Sequence, residues 1–145
     1  MSFMSAMEII SSSLAASRLR MNLVASNLAN AQTTRTAEGG PYRRRDPVFQ
    51  ATPVQQPFAD QLRDRLSSSL RGVTVSNVVV DQRPPRTVFD PGHPDADAAG
   101  LVKLPNVNVV EEMVDMITAS RAYEAGVTAM QSIKAMATKA LAIGR

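Results

Sequence analysis

Cysteine is absent from the 145 residues, so the chain has no disulfide framework and no thiol nucleophile, and its redox compartment is not legible from thiols. Histidine occurs once, at His93, which removes paired-imidazole chemistry. There is no Gly-x-Ser-x-Gly elbow for a serine nucleophile and no Gly-x-x-x-x-Gly-Lys-Ser/Thr loop for phosphates. Carboxylates are present, but no spacing singles out a pair for acid–base work. Long apolar runs are missing too, and none approaches the ~20 residues of a membrane span. A cleaved secretory signal would put positive charge ahead of an apolar run. Here the first basic residue is Arg18, behind the apolar positions, and Ser11, Ser12 and Ser13 interrupt them. The expectation is a chain that stays in the cytoplasm or leaves it by a route without signal cleavage. It is not an integral membrane protein.

Charge of one sign is nowhere concentrated. The net charge is +3, and the stretch 32–105 carries ten basic against eight acidic residues. Tyr42 beside Arg43, Arg44 and Arg45 has the residue types that stack on a base and hold phosphates, but Asp46 follows at once and no second basic cluster matches it. A solvated or interface charge run is the simpler reading, with no nucleic acid partner. The stretch Asp90-Pro91-Gly92-His93-Pro94-Asp95-Ala96-Asp97 gathers carboxylates around the histidine. Its Asp95-x-Asp97-x-x-Gly100 opens like a calcium loop, yet Ala99 stands where the fifth-position ligand belongs and Asn106 where the twelfth-position Glu belongs. Two prolines and a glycine make it a rigid turn. The sequence thus predicts no catalytic, cofactor-binding or metal-binding residues.

What is present is heptad periodicity at both ends. Residues Phe3, Met7, Ile10, Leu14, Ser17, Met21, Val24 and Leu28 step by four and three, and only Ser17 is polar. No Gly or Pro interrupts them, which predicts a helix from Ser5 to Asn30. At the other end the same steps give Val109, Met113, Met116, Ser120, Tyr123, Val127, Met130, Lys134, Ala137 and Leu141. Asn108 suits an N-cap, with Glu111 three residues on, and Lys134 and Lys139 fall late in the segment, favourable to the helix dipole. This predicts a second helix from Val109 to Leu141, roughly 50 Å long at ~1.5 Å per residue. Val110, Val114, Ile117 and Ile133 lie off its stripe, so its apolar surface exceeds what one seam covers. The methionines, mostly in the two terminal segments, read as packing residues.

All nine prolines fall between Pro41 and Pro105. Composition therefore divides the chain into an N-terminal coiled-coil helix (1–31), a β-rich middle (32–105) and a C-terminal coiled-coil helix (106–145). Within the middle, short strands are expected at Val48–Gln50, Val73–Val80, Arg86–Phe89 and Leu101–Leu104. An inserted connection spans 55–71, where Phe58, Leu62, Leu66 and Leu70 are spaced as in a short helix. The fold class is mainly α with a small β insert, its long terminal helices paired as an antiparallel coiled coil. Gly126 costs helix propensity of ~1 kcal/mol relative to Ala. Beside Ala122, Ala125 and Ala129 it marks a place for close helix approach, expected from a neighbouring subunit.

Several stretches resemble the axial proteins of the bacterial flagellar rod and hook. Ser26-Asn27-Leu28-Ala29-Asn30-Ala31 closing the first helix is similar to their signature. So are Thr33–Thr36, Gly39–Arg44, Val88–Asp97, Leu104–Met113 and Ser120–Ala125. The resemblance implies a non-enzymatic subunit without cofactors, exported through the flagellar type III apparatus. It implies polymerisation into the proximal part of a rod that crosses the periplasm in the basal body and transmits motor torque. Implied partners are copies of itself, other proximal and distal rod proteins, the export-gate adaptor at the rod base and the export apparatus. The seam for such assembly would comprise Phe3, Met7, Ile10, Leu14, Met21, Val24, Leu28, Val109, Met113, Met116, Tyr123, Gly126, Val127, Met130, Ala137 and Leu141. Phe3 and Met7 also match a short export motif, Phe-x-x-x-apolar. A non-exported coiled-coil adaptor and a basic nucleic-acid-binding coiled coil are the alternative classes.

Overall fold

The computed structural model describes residues 3–54 and 70–143. Helix α1 spans Phe3–Ala29, and helix α2 spans Val109–Ile143. Between them lie β1 (Arg45–Pro53), β2 (Arg71–Val80), β3 (Arg86–Phe89) and β4 (Leu101–Leu104). The short helix expected in the connection from Pro57 to Arg71 falls mostly outside the described residues; Arg71, at its edge, opens β2.

Helix α1 ends for a local reason. The Asn30 amide Nδ2 donates to Ser26 O at 2.9 Å, and its Oδ1 accepts the Thr33 hydroxyl at 3.1 Å. One side chain thus adds a second bond to a carbonyl of the last turn and ties down the exit loop. The loop reverses at Gly39 and Gly40, both at positive φ, and returns so that the Tyr42 amide donates to Thr33 O. Helix α2 starts at an N-cap: Asn108 Oδ1 accepts the Val110 amide at 3.1 Å.

Strand β1 is longer than the Val48–Gln50 expectation because β2 gives it a partner along most of its length. Bonds from Val54 N to Leu70 O and from Asp81 N to Arg44 O bracket the antiparallel pair. Pro47 lies within β1 and donates nothing, which a two-stranded sheet tolerates at its open side. Strands β3 and β4 form a second antiparallel sheet, with Val88 opposite Val102 and Phe89 opposite Leu101. The predicted turn between them is held by its own carboxylates: Asp90 Oδ1 accepts from Gly92 N, and Asp97 Oδ1 accepts from Ala99 N and Leu101 N.

The chain sorts into two compact units. One takes the described residues of Met1–Leu19, Val48–Asn77 and Ala119–Arg145; the other takes Arg20–Pro47 and Val78–Thr118. Both helices contribute to both units. In the second unit Val24, Ala31, Val102, Pro105 and Val107 form a buried apolar group. In the first the buried residues are small: Ser5, Ala16, Gly72 and Ala119.

Candidate assembly surface

In the unit of residues 20–47 and 78–118, the end of α1 and the start of α2 run in opposite directions. Arg20 Nη2 meets Asp115 Oδ1 at 3.0 Å, and Asn27 Nδ2 meets Glu112 Oε2 at 3.1 Å. Asn27 and Glu112 are both fully buried. Asn27 uses every hydrogen-bonding site it has. Its Nδ2 also donates to Arg45 O at 3.0 Å, while its Oδ1 accepts from Tyr42 OH at 2.9 Å and from Arg45 N at 3.0 Å. Arg44 completes the group, with Nε donating to Glu112 Oε1, Nη1 paired with Asp46 and Nη2 3.7 Å from Asp115. A charged carboxylate in such a place is tolerable only when paired and fully hydrogen-bonded. Among the described residues every buried side-chain nitrogen and oxygen has a partner.

In the unit of residues 3–19, 48–54, 70–77 and 119–143, close approach replaces polar linkage. A Cβ built on Gly126 would lie 2.8 Å from Leu14 Cδ2. The helix that crosses at Gly126 is therefore α1 of the same chain, where a neighbouring subunit had been expected. On α1, Ser12 Oγ accepts the Val73 amide at 3.1 Å, and Gly72 leaves room for it, its missing Cβ falling 3.0 Å from that oxygen. Strand β2 is seated on the helix by this pair.

The inward stripe of α2 runs through Glu112, Met116, Ala119, Tyr123, Gly126, Met130, Ile133 and Ala137, all buried or half-buried. It shares Met116, Tyr123, Gly126, Met130 and Ala137 with the predicted seam. Val127 is half-buried beside it, whereas Val109, Met113 and Leu141 are exposed in the single chain, Leu141 at 75%. On α1, Val24 is buried; Met7, Ile10, Leu14, Met21 and Leu28 are half-buried; Phe3 is exposed at 41%. Helix α2 also presents an outward apolar strip of Val109, Val110, Met113, Val114 and Ile117. This strip runs over more than two turns and is left in water by the single chain.

Sequence reading passed over Tyr42, Arg44 and Glu112 as a joint site, because apolar periodicity skips charged positions. The available signal was Glu112 four residues ahead of Met116 and seven ahead of Ala119, a carboxylate in step with a heptad. Of the three consecutive arginines, Arg44 is occupied by carboxylates and Arg43 Nη1 donates to Gln82 Oε1 at 3.0 Å. In the Asp90–Asp97 turn, His93 Nδ1 accepts the Asp95 amide, and Asp95 accepts the Thr34 hydroxyl at 2.7 Å. Among the described residues there is no group of three or more His, Asp or Glu side chains placed to hold a metal ion, and no helix long and apolar enough to cross a membrane. Among the described residues Asp81 is the carboxyl with a clear shift: hydrogen bonds from the Arg83 side chain and backbone hold it below the usual carboxylate range.

A family described as flagellar basal body rod FlgEFG protein C-terminal matches residues 98–143, which cover α2 and β4. Similar proteins match over nearly the whole chain. The flagellar basal-body rod protein FlgC of Borreliella burgdorferi is 45% identical over 99% of this chain and 98% of its own. Those of Bacillus subtilis and Salmonella typhimurium are 42% and 40% identical, over 96% and 100% of both chains respectively. With identity of this level running from end to end, the chain belongs to the flagellar basal-body rod protein FlgC family.

Proposed function

We propose that the chain is a non-enzymatic structural subunit of the bacterial flagellar basal-body rod. It polymerises with copies of itself and with other rod proteins into the proximal rod, which crosses the periplasm and carries motor torque. It reaches that position through the flagellar type III export apparatus and meets the export-gate adaptor at the rod base. The observation that carries this reading is the outward strip Val109, Val110, Met113, Val114 and Ile117 on α2, together with the exposed Phe3, Met4, Met136 and Leu141. A single chain of this size leaves these side chains in water, and burial against neighbours returns about 25 cal/mol per Å² of apolar surface covered. The names of the relatives supply the assembly. The helices pair as a coiled coil within it, a reading supported by the contacts of Asn27 with Glu112 and of Leu14 with Gly126.

The test is a Val110→Glu, Val114→Glu double variant. Both positions are more than half exposed, so the subunit itself tolerates the change. The expected result is wild-type abundance, loss of swimming and absence of the protein from isolated basal bodies. Normal rods and motility would refute the reading. Retention of the wild-type protein in the cytoplasm of a flagellated cell would favour an adaptor instead. Export has its own test. Phe3→Ala with Met7→Ala lowers the amount reaching the periplasm if these residues dock at the export gate; unchanged secretion with failed assembly leaves them as packing residues.

A further inference from the structure

We propose that prolines seal the open edges of both sheets, so that the chain does not join other chains strand to strand. The inference stands whatever the subunit assembles with.

Hydrogen bonding fixes which strand residues face outward. Val54 N donates to Leu70 O, and the carbonyls of Gln50 and Val48 accept the Thr74 and Ser76 hydroxyls. Even-numbered residues of β1 therefore turn their main chain toward β2. Odd-numbered ones turn theirs away, as Arg45 does in bonding through both N and O to Asn27. Two of the outward positions are Pro47 and Pro53, which have no N–H to offer. Between them only Phe49 and Ala51 present outward amides, and among the described residues nothing meets them.

Strand β3 follows the same plan. The bond from Asp90 N to Gly100 O and the pairing of Val88 with Val102 turn its even-numbered residues toward β4. Thr87 and Phe89 face outward, with Pro85 and Pro91 at the next outward positions on either side. On β4 the outward Leu101 is held by Asp97 at both N and O, and Pro105 follows the outward Lys103. Strand β2 is the contrast. It contains no proline, and its outward Val73 amide is taken by Ser12 of α1. Prolines stand on the edges left open and not on the edge a helix reaches.

The material they bracket is pairing-prone. Val48 to Thr52 carries no charge, and Val48, Phe49, Val88 and Phe89 are exposed. An open edge of such residues is a template for a strand of another chain. A strand adding to β1 would lose a donor at each proline and meet its ring, which confines pairing to the residues between. Pairing that short is marginal in water.

The test is the full-length Pro47→Thr, Pro53→Thr variant, which restores both outward N–H groups with a strand-favouring residue. Neither proline nitrogen faces β2, so urea unfolding should match wild type. Shaken at equal concentration, the variant should form thioflavin-positive, cross-β aggregate at least about tenfold sooner than wild type. Pro94→Thr, in a turn outside any strand, should keep the wild-type lag. An unchanged lag in the double variant would overturn the proposal, as would equal acceleration in Pro94→Thr. If the double variant is less stable to urea, Pro53→Thr alone decides, since its side chain is exposed: a wild-type lag there overturns the proposal, and a shortened lag at wild-type stability supports it.

Discussion

Removing the Arg44 guanidinium alone should be far more damaging than removing it together with its carboxylate partner. Arg44 is 16% exposed at its side chain, and Glu112 is fully buried. In Arg44→Met the stem volume is largely kept, but Glu112 Oε1 loses its cation and its N–H donor. Oε2 retains only the amide of Asn27. Breaking a buried pair from one side costs about 3–5 kcal/mol, because the remaining charge is uncompensated. Against a total stability of about 5–15 kcal/mol, that is a large share. Glu112→Gln is milder. The amide oxygen still faces Arg44, and Arg44 keeps Asp46 and Asp115; the new Nε2 faces Asn27 Nδ2, donor against donor, so about 1–3 kcal/mol is expected. The double variant Arg44→Met, Glu112→Leu removes both charges and leaves Asn27 Nδ2 with Arg45 O; it should be more stable than Arg44→Met alone. Urea unfolding followed by circular dichroism gives the three values. If Arg44→Met unfolds within about 1 kcal/mol of wild type, or the double variant is the least stable of the three, the account of a buried Glu112 carboxylate held by Arg44 is wrong.

Gly100 has φ +74, and a Cβ there would meet Phe89 Cε2 at 2.9 Å; Gly100→Ala should lose roughly 1–3 kcal/mol by combining backbone strain with overpacking, and wild-type urea stability would contradict it. Gly126→Leu should keep or raise the helicity of the free subunit, because leucine is the better helix former. It would also overfill the contact with Leu14 of the same chain at a cost of about 1–3 kcal/mol and impair swimming; normal motility would exclude a tight crossing there. Asp81, whose carboxyl is held below its ordinary range chiefly by the Arg83 side chain, is favoured in the folded state above the unfolded carboxyl's pKa of 3.8. That stabilisation fades as pH falls through the lower folded value. Arg83→Gln should move the Asp81 titration, followed by the NMR chemical shift of its side-chain carboxyl, up toward the ordinary range, and an unmoved midpoint would remove Arg83 as the cause.

The existence of both helices and the β-rich middle was legible because the governing signals are local. Proline is confined to the middle, the heptad steps are uninterrupted, and Asn108 offers a cap oxygen two residues ahead of Val110. The ranges of β3 and β4 were legible for the same reason. Strand β1 was harder, since Arg45, Asp46 and Pro47 have poor strand character and are extended by pairing with β2. The polar group around Glu112 was legible only in pieces. Glu112 keeps step with Met116 and Ala119, and Asn27 lies in the Ser26–Ala31 stretch, but no periodicity connects them to Tyr42 and Arg45. Gly126 was recognised as a close-approach position, but its occupant, Leu14, depends on how the chain folds back. Leu14 also lies on the predicted seam, so the same residue that reads as a candidate for outside contact fills an inside one.

The two tyrosines are the chain's only tyrosines, and tryptophan is absent. Tyr42 holds the buried Asn27 carboxamide in the unit of residues 20–47 and 78–118, whereas Tyr123 lies on the inward stripe of α2 in the other unit. Ultraviolet emission and near-ultraviolet circular dichroism therefore come with one phenol ring per unit and no indole to mask them. Tyr123→Phe leaves Tyr42 as a sole reporter without touching its hydrogen bond, and the difference from wild type isolates Tyr123. The molecule carries a pair of built-in optical probes that can time, in one stopped-flow record, which part of a subunit becomes rigid first as it joins a growing polymer.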